Sequence, residues 1–189
     1  MKMKLIITRH GETEGNVNQI LADSNDPLTP NGKKQAKALA QRLSNEKIDA
    51  IYTSPFKRAR ETAEIIHKKN KNAKLIIVEE LKEMELGSYL NKKGTEVNWD
   101  VMPKDVESKN SLYERAKKAI ERAVKEYPNG KVLFVAHNAI NKAMIRFLRN
   151  MHPEDKMSIR QGNTAVTIFE ISAKERKEIL FNCMKHVEE

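Results

Sequence analysis

Short apolar runs alternate along the chain with longer segments in which apolar residues recur every three or four positions. The runs have the length of buried strands, and the recurring spacing is typical of amphipathic helices. This alternation predicts an α/β fold, a single three-layer α/β/α domain with a mostly parallel central sheet flanked by helices. The predicted strands are Lys4–Thr8, Ala50–Thr53, Leu75–Val78, Val132–Ala136 and Ala165–Ile171.

Four helices are predicted around this sheet, each with one buried stripe. Thr29 can cap the first helix, and Pro30 fits its first turn. Ser54 and Pro55 repeat that start signal for the second helix, and the third runs from about Leu112 to Lys125. The predicted stripes are Ala36, Leu39, Ala40 and Leu43; Ala59, Thr62, Ala63 and Ile66; Ala116, Ala119, Ile120 and Ala123; and Ile140, Ala143, Met144 and Phe147, the last after His137.

Two regions depart from this regular pattern. Between Gly87 and Ser111 the sequence is polar and irregular, which predicts a short lid or insertion over the sheet at about residues 88–111. The charged tail at about residues 174–189 contains Ile179, Leu180 and Met184, whose spacing predicts a C-terminal helix. All of this belongs to one predicted domain, residues 1–189.

Composition narrows the class of protein. The 189 residues are 39% hydrophobic and 32% charged, and no apolar run approaches the roughly 20 residues of a membrane span. We therefore expect a cytoplasmic protein without membrane contacts. Cys183 is the single cysteine, so no intrachain disulfide can form. The net charge of +9 favours anionic partners, either phosphorylated metabolites or nucleic acid. An aromatic content of 5% offers few stacking surfaces for nucleic acid, so we expect none to bind.

The first predicted strand ends in a pair of residues suited to phosphoryl chemistry. Arg9 and His10 follow the apolar run at the strand's carboxyl end, which is where open α/β sheets usually bind ligands. The arginine disfavours a protonated ring next to it, and its planar fork can clamp a phosphate. Gly11 permits a sharp turn and a close approach to an anion. The pattern predicts a histidine that attacks phosphorus, although the pair alone is also compatible with a surface turn.

The sequence Arg-His-Gly-Glu-Thr at residues 9–13 resembles the first motif of the histidine phosphatase superfamily, the phosphoglycerate-mutase-like enzymes of branch 1. Further motifs follow in the family's order, and together they extend from residue 5 to about residue 170. Each is weak alone, but the ordered set is specific. They are Leu-Thr-Pro-Asn-Gly at 28–32, Ser-Pro-Phe-Lys-Arg-Ala at 54–59, Thr-Ala at 62–63, Leu-Lys-Glu at 81–83 with Gly87, and Val-Ala-His at 135–137.

The resemblance implies a role for each matching residue. His10 would be the nucleophile and form a phosphohistidine, which divides one displacement into two. Arg9, Arg58 and Asn16 would bind the phosphate, and His137 would donate to a phosphoryl oxygen. In the family pattern the phosphate-binding arginine precedes the alanine, which is Arg58 here. Arg60 lies about 200° further around the helix and should face elsewhere.

The leaving group of a phosphate ester needs a proton donor. Glu83 matches the family's acid in its Leu-x-Glu motif, four residues before Gly87. Glu85 is the competing residue, because it would share a face with Glu83 if the segment is extended. After the alcohol departs, the same carboxylate could activate water against the phosphohistidine.

The chain also departs from the family pattern. Asn138 stands where the family usually has glycine after the second histidine, and it could narrow or re-aim the pocket. Tyr-Leu-Asn at 89–91 replaces the usual Glu-Gly pair. Residues 161–164 resemble the family's turn before the last strand, so Asn138 and Asn163 are predicted to border the substrate. The histidines and the cysteine show no metal-ligand spacing, and we predict no metal and no cofactor.

The predicted function is a metal-independent phosphomonoester hydrolase that acts through a phosphohistidine on a small phosphorylated metabolite. Two alternatives stay open. A cofactor-dependent phosphoglycerate mutase is one, because residues 90–92 resemble a mutase segment, although residues 88–111 contain no arginine for a second phosphate. A non-catalytic phosphate-binding module is the other, and Asn138 is its only support. The sequence leaves the identity of the phosphate ester and the oligomeric state open.

Overall fold

The computed structural model describes residues 2–157 and 161–187, and within them a six-stranded sheet forms the middle layer. Its strand order is β3-β2-β4-β1-β5-β6. The first four strands run parallel to one another, β5 is antiparallel to β1, and β6 is antiparallel to β5. The predicted, mostly parallel sheet is confirmed. The strands are β1 (Lys2–Arg9), β2 (Ala50–Thr53), β3 (Lys74–Ile77), β4 (Lys131–Ala136), β5 (Val166–Ser172) and β6 (Arg176–Cys183).

Helices cover both faces of the sheet. The α2 helix begins as predicted, since the Thr29 hydroxyl accepts a hydrogen bond from the Gly32 amide at 2.9 Å and Pro30 stands in the first turn. The α3 helix begins later than its Ser-Pro signal indicates, with Phe56 at its N-cap. The α-helices are α1 (Glu14–Val17), α2 (Pro30–Arg42), α3 (Lys57–His67), α4 (Lys109–Glu126) and α5 (Asn138–Leu148), and 3₁₀ turns span Glu79–Leu81 and Gly87–Tyr89.

Two hydrophobic cores separate these layers. Alternate residues of β1 point to opposite faces, as in any strand. Leu5 and Ile7 pack in the core under α4 and α5, whereas Ile6 packs in the core under α2 and α3. All four predicted stripes are buried, which confirms the three-layer arrangement. In the part of the chain that is described, no helix has both the length and the apolar composition for crossing a bilayer.

The C-terminal helix predicted at about residues 174–189 is wrong. The chain turns after β5, where the Ser172 amide donates to the Glu175 carbonyl at 2.8 Å, and then forms β6. Leu180 pairs with Ile168 across the two strands. Ile179 and Leu180 are adjacent, and an adjacent apolar pair fits a helix or a strand equally well. Pairing with β5 decides between them, because β5 would otherwise leave its outer edge without hydrogen bonds. Residues 188–189 lie outside the described part.

The predicted lid region contains the 3₁₀ turn Gly87–Tyr89 and a series of turns that lead into α4. Gly87 has a φ of +46°, and a side chain there would collide with the Asp105 carbonyl, so only glycine fits. The region is tied to the loop after α1, because the Leu21 amide donates to the Lys92 carbonyl at 2.9 Å. A lid function for residues 88–111 stays a prediction.

Candidate active site

The carboxyl ends of β1 and β4 lie side by side and bring two histidines together. Arg9 is in register with Ala136, and the His10 amide donates to the Ala136 carbonyl at 3.0 Å. His10 and His137 follow directly, with their ring centroids 5.1 Å apart, and both are buried. The sheet therefore places the two predicted histidines at one edge, as expected for parallel strands.

The His10 ring is held in one orientation. Its Nδ1 lies 2.7 Å from the Gly11 carbonyl oxygen, which accepts only if Nδ1 carries the proton. Nε2 then has the lone pair, and Arg58 Nε donates to it at 3.2 Å. Burial lowers the pKa of His10 well below its usual range, and the charges of Arg58 and Arg9 lower it further. The ring is therefore neutral at physiological pH, with Nε2 as its nucleophilic atom.

Glycine is required at position 11 for a reason other than the predicted sharp turn. A Cβ at this position would lie 2.5 Å from the Gly32 carbonyl oxygen, in the first turn of α2. Glycine is required here because β1 and α2 approach closely. The same contact explains why the first two motifs occur together, since the Glu12 carboxylate accepts hydrogen bonds from the Thr29 hydroxyl at 2.9 Å and the Asn31 amide at 3.1 Å.

Arg58 reaches the site from the first turn of α3. It is buried, and its Nη1 donates to the Asp23 carbonyl at 2.5 Å while its Nε contacts His10. Thr62, one turn later, accepts from the Gly11 amide at 3.0 Å and donates to the Arg58 carbonyl at 2.7 Å. Arg60 is exposed, so the helical geometry separates the two arginines as predicted.

His137 is oriented by Ser54. Its Nε2 lies 2.8 Å from the Ser54 hydroxyl, which also accepts from the Phe56 amide at 3.2 Å. The hydroxyl oxygen has a second lone pair and a hydrogen, so this hydrogen bond to His137 forms with either tautomer of the ring. Within residues 2–157 and 161–187, the buried Nδ1 of this ring has no hydrogen-bond partner. Burial lowers the pKa of His137 well below its usual range, so this ring is also neutral.

Glu83 lies at the amino end of α5. Its Oε1 accepts from the amides of Ala139 at 3.1 Å and Ile140 at 3.2 Å, and its Oε2 lies 3.1 Å from the Ala139 amide. These first-turn amides have no partner within the helix, and the Glu83 side-chain oxygens accept from them. Glu85 is exposed and lies outside the cavity described below, whereas Glu83 lines it.

The segment that carries Glu83 is fixed by Arg115 of α4. The guanidinium donates to the carbonyls of Glu80, Lys82 and Glu83 at 2.8, 2.9 and 3.3 Å. It also forms a two-pronged ion pair with Glu107 at 2.9 and 2.6 Å. The Glu107 side chain is only 7% exposed, and its pKa is lowered by the Arg115 pair against the cost of its burial. Glu107 also accepts from the Glu85 amide at 3.2 Å, so this partly buried pair anchors the backbone on both sides of the candidate acid.

Asn16 and Asn163 form a small amide network behind His10. The Asn163 side chain donates to the His10 carbonyl at 3.0 Å and to Asn16 Oδ1 at 2.9 Å. Asn16 Oδ1 also accepts from the Thr13 amide at 3.2 Å, which leaves its Nδ2 to face a ligand. Arg9 Nη1 donates to the Gln161 carbonyl at 2.8 Å.

These groups open into one main cavity of about 450 Å³. Arg9, His10, Asn16, Arg58, Glu83 and Asn138 all line it, whereas His137 lies just behind His10. Asn163 lines a neighbouring cavity of about 510 Å³. The main cavity is also lined by Leu86, Trp99, Tyr113, Lys142 and Arg146, and Lys142 lines the neighbouring cavity as well.

Asn138 is the first residue of α5 and is not among the residues with positive φ. Its backbone is helical, so glycine is not required for conformation at this position. The described part of the chain contains no cluster of three His, Cys, Asp or Glu residues arranged to hold a metal ion.

Comparison with known proteins agrees with this geometry. The family model described as histidine phosphatase superfamily (branch 1) matches residues 5–184. The chain belongs to this superfamily. A phosphatase of Bacillus subtilis, PhoE, is 31% identical over 96% of this chain and 95% of its own length. Phosphoserine phosphatase 1 of Hydrogenobacter thermophilus is 33% identical over 94% of this chain and 90% of its own.

A solved structure resembles this histidine phosphatase closely. A phosphoserine phosphatase mutant from Entamoeba histolytica, in complex with phosphoserine, has a TM-score of 0.87 and 29% identity, covering 97% of this chain and 98% of its own. With family membership and these relatives, the protein is a phosphatase.

Sequence reasoning missed several residues of this phosphatase's site. Ser54 was interpreted only as a helix start, although its hydroxyl orients His137. Lys142 and Arg146 follow Asn138 at intervals of four, a helical spacing that could have shown that they share its face. Arg115 gives no sequence signal, because its partners are backbone carbonyls about thirty residues away in the chain.

Proposed function

We propose that this phosphatase hydrolyses small phosphomonoesters by transferring the phosphoryl group to His10 Nε2. The observation that carries the proposal is the fixed, neutral His10 ring, whose Nε2 faces Arg58 in a cavity that also contains Glu83. A phosphohistidine divides hydrolysis into two displacements, each with one bond formed and one broken at phosphorus.

In the first step the Nε2 lone pair forms the N–P bond as the ester P–O bond breaks. The phosphoryl group must take the position at which Arg58 Nε now meets Nε2, so that hydrogen bond gives way to one with a phosphoryl oxygen. Arg9, Arg58 and Asn16 stabilise the charge on the transferred group, and catalysis is mainly electrostatic and positional. His137, whose ring lies 5.1 Å from that of His10 and whose Nδ1 has no partner among the described residues, donates to a phosphoryl oxygen.

Glu83 acts as the general acid in the first step and as the general base in the second. It gives a proton to the leaving alcohol in the first, and takes one from the attacking water in the second, when the O–P bond forms and the N–P bond breaks. Alcohol and inorganic phosphate are released and His10 is regenerated. No metal takes part in this scheme. Phosphoserine is a suitable first substrate, because two of the similar proteins are phosphoserine phosphatases.

Hydrolysis of p-nitrophenyl phosphate in excess chelator tests the proposal, with wild type compared with His10→Ala. We expect turnover that withstands the chelator and falls at least about 1,000-fold in the variant, as when other enzymes lose their nucleophile. A phosphoenzyme that is stable to base and labile to acid should appear only in wild type. Loss of turnover in chelator, or unchanged turnover in the variant, would contradict the mechanism.

The same assay addresses the mutase and binding-module alternatives. A mutase would return the phosphoryl group to an acceptor phosphoglycerate and release little inorganic phosphate, whereas a binding module would show no turnover although it binds phosphate. Stoichiometric release of phosphate when 3-phosphoglycerate is present as an acceptor excludes both.

A further inference from the structure

One face of α5 presents polar side chains to the main cavity at intervals of one helical turn. Asn138, Lys142 and Arg146 are four residues apart and all line the cavity. Glu83 is bound at the amino end of this helix, beside His10. With a rise of about 1.5 Å per residue, Lys142 stands roughly 6 Å further along the helix than Asn138. The helix thus leads from the phosphate site towards the space for the leaving group.

Lys142 is half-buried in this wall, and its charge has no direct partner there. The ammonium forms no hydrogen bond or ion pair with residues 2–157 and 161–187. The Glu83 carboxylate acts on it only through longer-range electrostatic attraction. Burial and the neighbouring Arg146 lower the pKa of Lys142. A half-buried cation without a close anion is unfavourable, and an anionic ligand would relieve that cost.

The other cations of the same wall are already engaged. Arg146 donates to the Asp155 carbonyl at 3.2 and 3.1 Å, and Lys109 forms an ion pair with Glu154 at 3.0 Å. Leu86 and Trp99 contribute mainly apolar surface. In this part of the cavity, among the residues described, Lys142 is therefore the cation best placed to take a new anion.

We propose that Lys142 binds a carboxylate on the leaving group, so that the enzyme prefers phosphomonoesters that carry a carboxylate near the ester. A second phosphate fits less well, because a dianion needs several donors, such as those that Arg9, Arg58 and Asn16 supply at the other end. Lys142 offers one cation, which matches a single negative charge. The inference rests on the proposed function, since the phosphate must sit at His10.

Two matched substrate pairs test it. O-phosphoserine and phosphoethanolamine differ only in the carboxylate, and 3-phosphoglycerate and glycerol 3-phosphate differ by a carboxylate in place of a hydroxymethyl group. We expect wild type to favour the carboxylate member of both pairs in kcat/KM by about tenfold or more, the size of one hydrogen bond between charged groups. Agreement between the pairs would show that the carboxylate, and not the amine of phosphoserine, is recognised.

Variants assign the preference to Lys142. Lys142→Met should lower the ratio of kcat/KM within each pair towards one, whereas Lys142→Arg should retain most of it. Lys37→Met is the charge-matched control, because Lys37 is exposed on α2 and lines none of the cavities described. It should leave both ratios at the wild-type value. Thermal unfolding confirms that each variant is folded, and Lys142→Gln serves if the methionine variant is not.

Three results would separate the possible failures. Equal kcat/KM within both pairs for wild type, or an unchanged ratio in Lys142→Met, would overturn the inference and leave the phosphatase proposal intact. No hydrolysis of any member would contradict the proposed function instead. In that case calorimetric binding of 3-phosphoglycerate and glycerol 3-phosphate to His10→Ala protein decides the inference, since a Kd ratio near one would overturn it.

Discussion

The two ends of the main cavity differ in how their side chains are held. At the phosphate end, His10, Arg58 and Glu83 each make hydrogen bonds to the protein, mostly to backbone groups. At the outer end, Trp99 is 39% exposed, and Lys142 forms no hydrogen bond or ion pair with the described residues. Strand ends and a helix terminus therefore fix the chemistry, whereas the side chains that meet the leaving group can change without disturbing it.

Replacing the candidate acid should have the largest effect at the phosphate end. Glu83→Gln removes the transferable proton, and glutamine has one acceptor for the α5 amides where the carboxylate has two. We expect kcat for an alkyl phosphate to fall about 100- to 10,000-fold, the usual contribution of a general acid. Steady-state kinetics measure it.

Glu85→Gln is the matched control two residues away. Its side chain is exposed and lies outside the cavity, so kcat should stay within about threefold of wild type. Equal losses of kcat in the two variants would contradict the role of Glu83 as the general acid. A smaller loss in Glu83→Gln with p-nitrophenyl phosphate than with alkyl phosphates would sharpen the assignment, because nitrophenolate leaves without help.

Arg115→Met should lower both the stability of the phosphate end and its catalytic activity, although Arg115 does not line the cavity. It leaves the partly buried Glu107 carboxylate without its ion-pair partner, which costs about 1.5–3 kcal/mol of the free energy of unfolding. It also frees the backbone that carries Glu83, and a displacement near 1 Å can lower kcat by up to about 100-fold. Urea unfolding and kinetics at a temperature where the variant is folded measure the two effects.

Arg122→Met provides the comparison on the same helix. Arg122 pairs with Glu126 at 2.8 Å, but both side chains are well exposed, so the loss should stay below about 1 kcal/mol. If Arg115→Met lowers stability while kcat and KM remain those of wild type, Arg115 is structural and does not position Glu83.

Acid should weaken the fold through the buried histidines. The rings of His10 and His137 stay neutral when folded, since their pKa values are lowered, while the unfolded chain takes up protons below its ordinary histidine pKa of 6.5. The unfolded state then binds more protons, so stability falls as pH drops below 6.5 towards the folded pKa values. Between pH 7.5 and 5.5 each ring should contribute about 1.4 kcal/mol of loss.

Urea unfolding at the two pH values checks this prediction. His186, whose pKa is lowered to about 4, adds a similar term. His10→Asn should reduce the loss by about one ring's share. An unchanged pH dependence in that variant would mean that His10 is protonated in the folded enzyme.

The smallest effect is expected where the sequence departs from its family. Asn138→Gly should change kcat/KM by less than about threefold and stability by less than about 1 kcal/mol, because Asn138 is already helical and sits in the first turn. A large gain in activity would instead mean that the asparagine side chain obstructs the phosphate end.

The sequence predicts the phosphate end better than the outer end for a physical reason. His10 directly follows an apolar run that predicts a buried strand. Arg58 and Glu83 are expected from their resemblance to short family motifs, which are local in the sequence. Arg115 and Ser54 act through contacts between distant segments, which no local pattern encodes. The tail was mispredicted for the same reason, since β6 is defined by its pairing with β5.

Because β5 and β6 extend the sheet, β1 is flanked by strands on both sides. The backbone amides that carry the nucleophile should therefore exchange with solvent deuterium only when the whole domain unfolds, while those of the edge strand β3 should exchange through local opening. The nucleophile therefore follows one of the last strands of the molecule to unfold. Heating or denaturant should abolish activity and the fold in one transition, without an earlier inactive stage caused by a mobile His10.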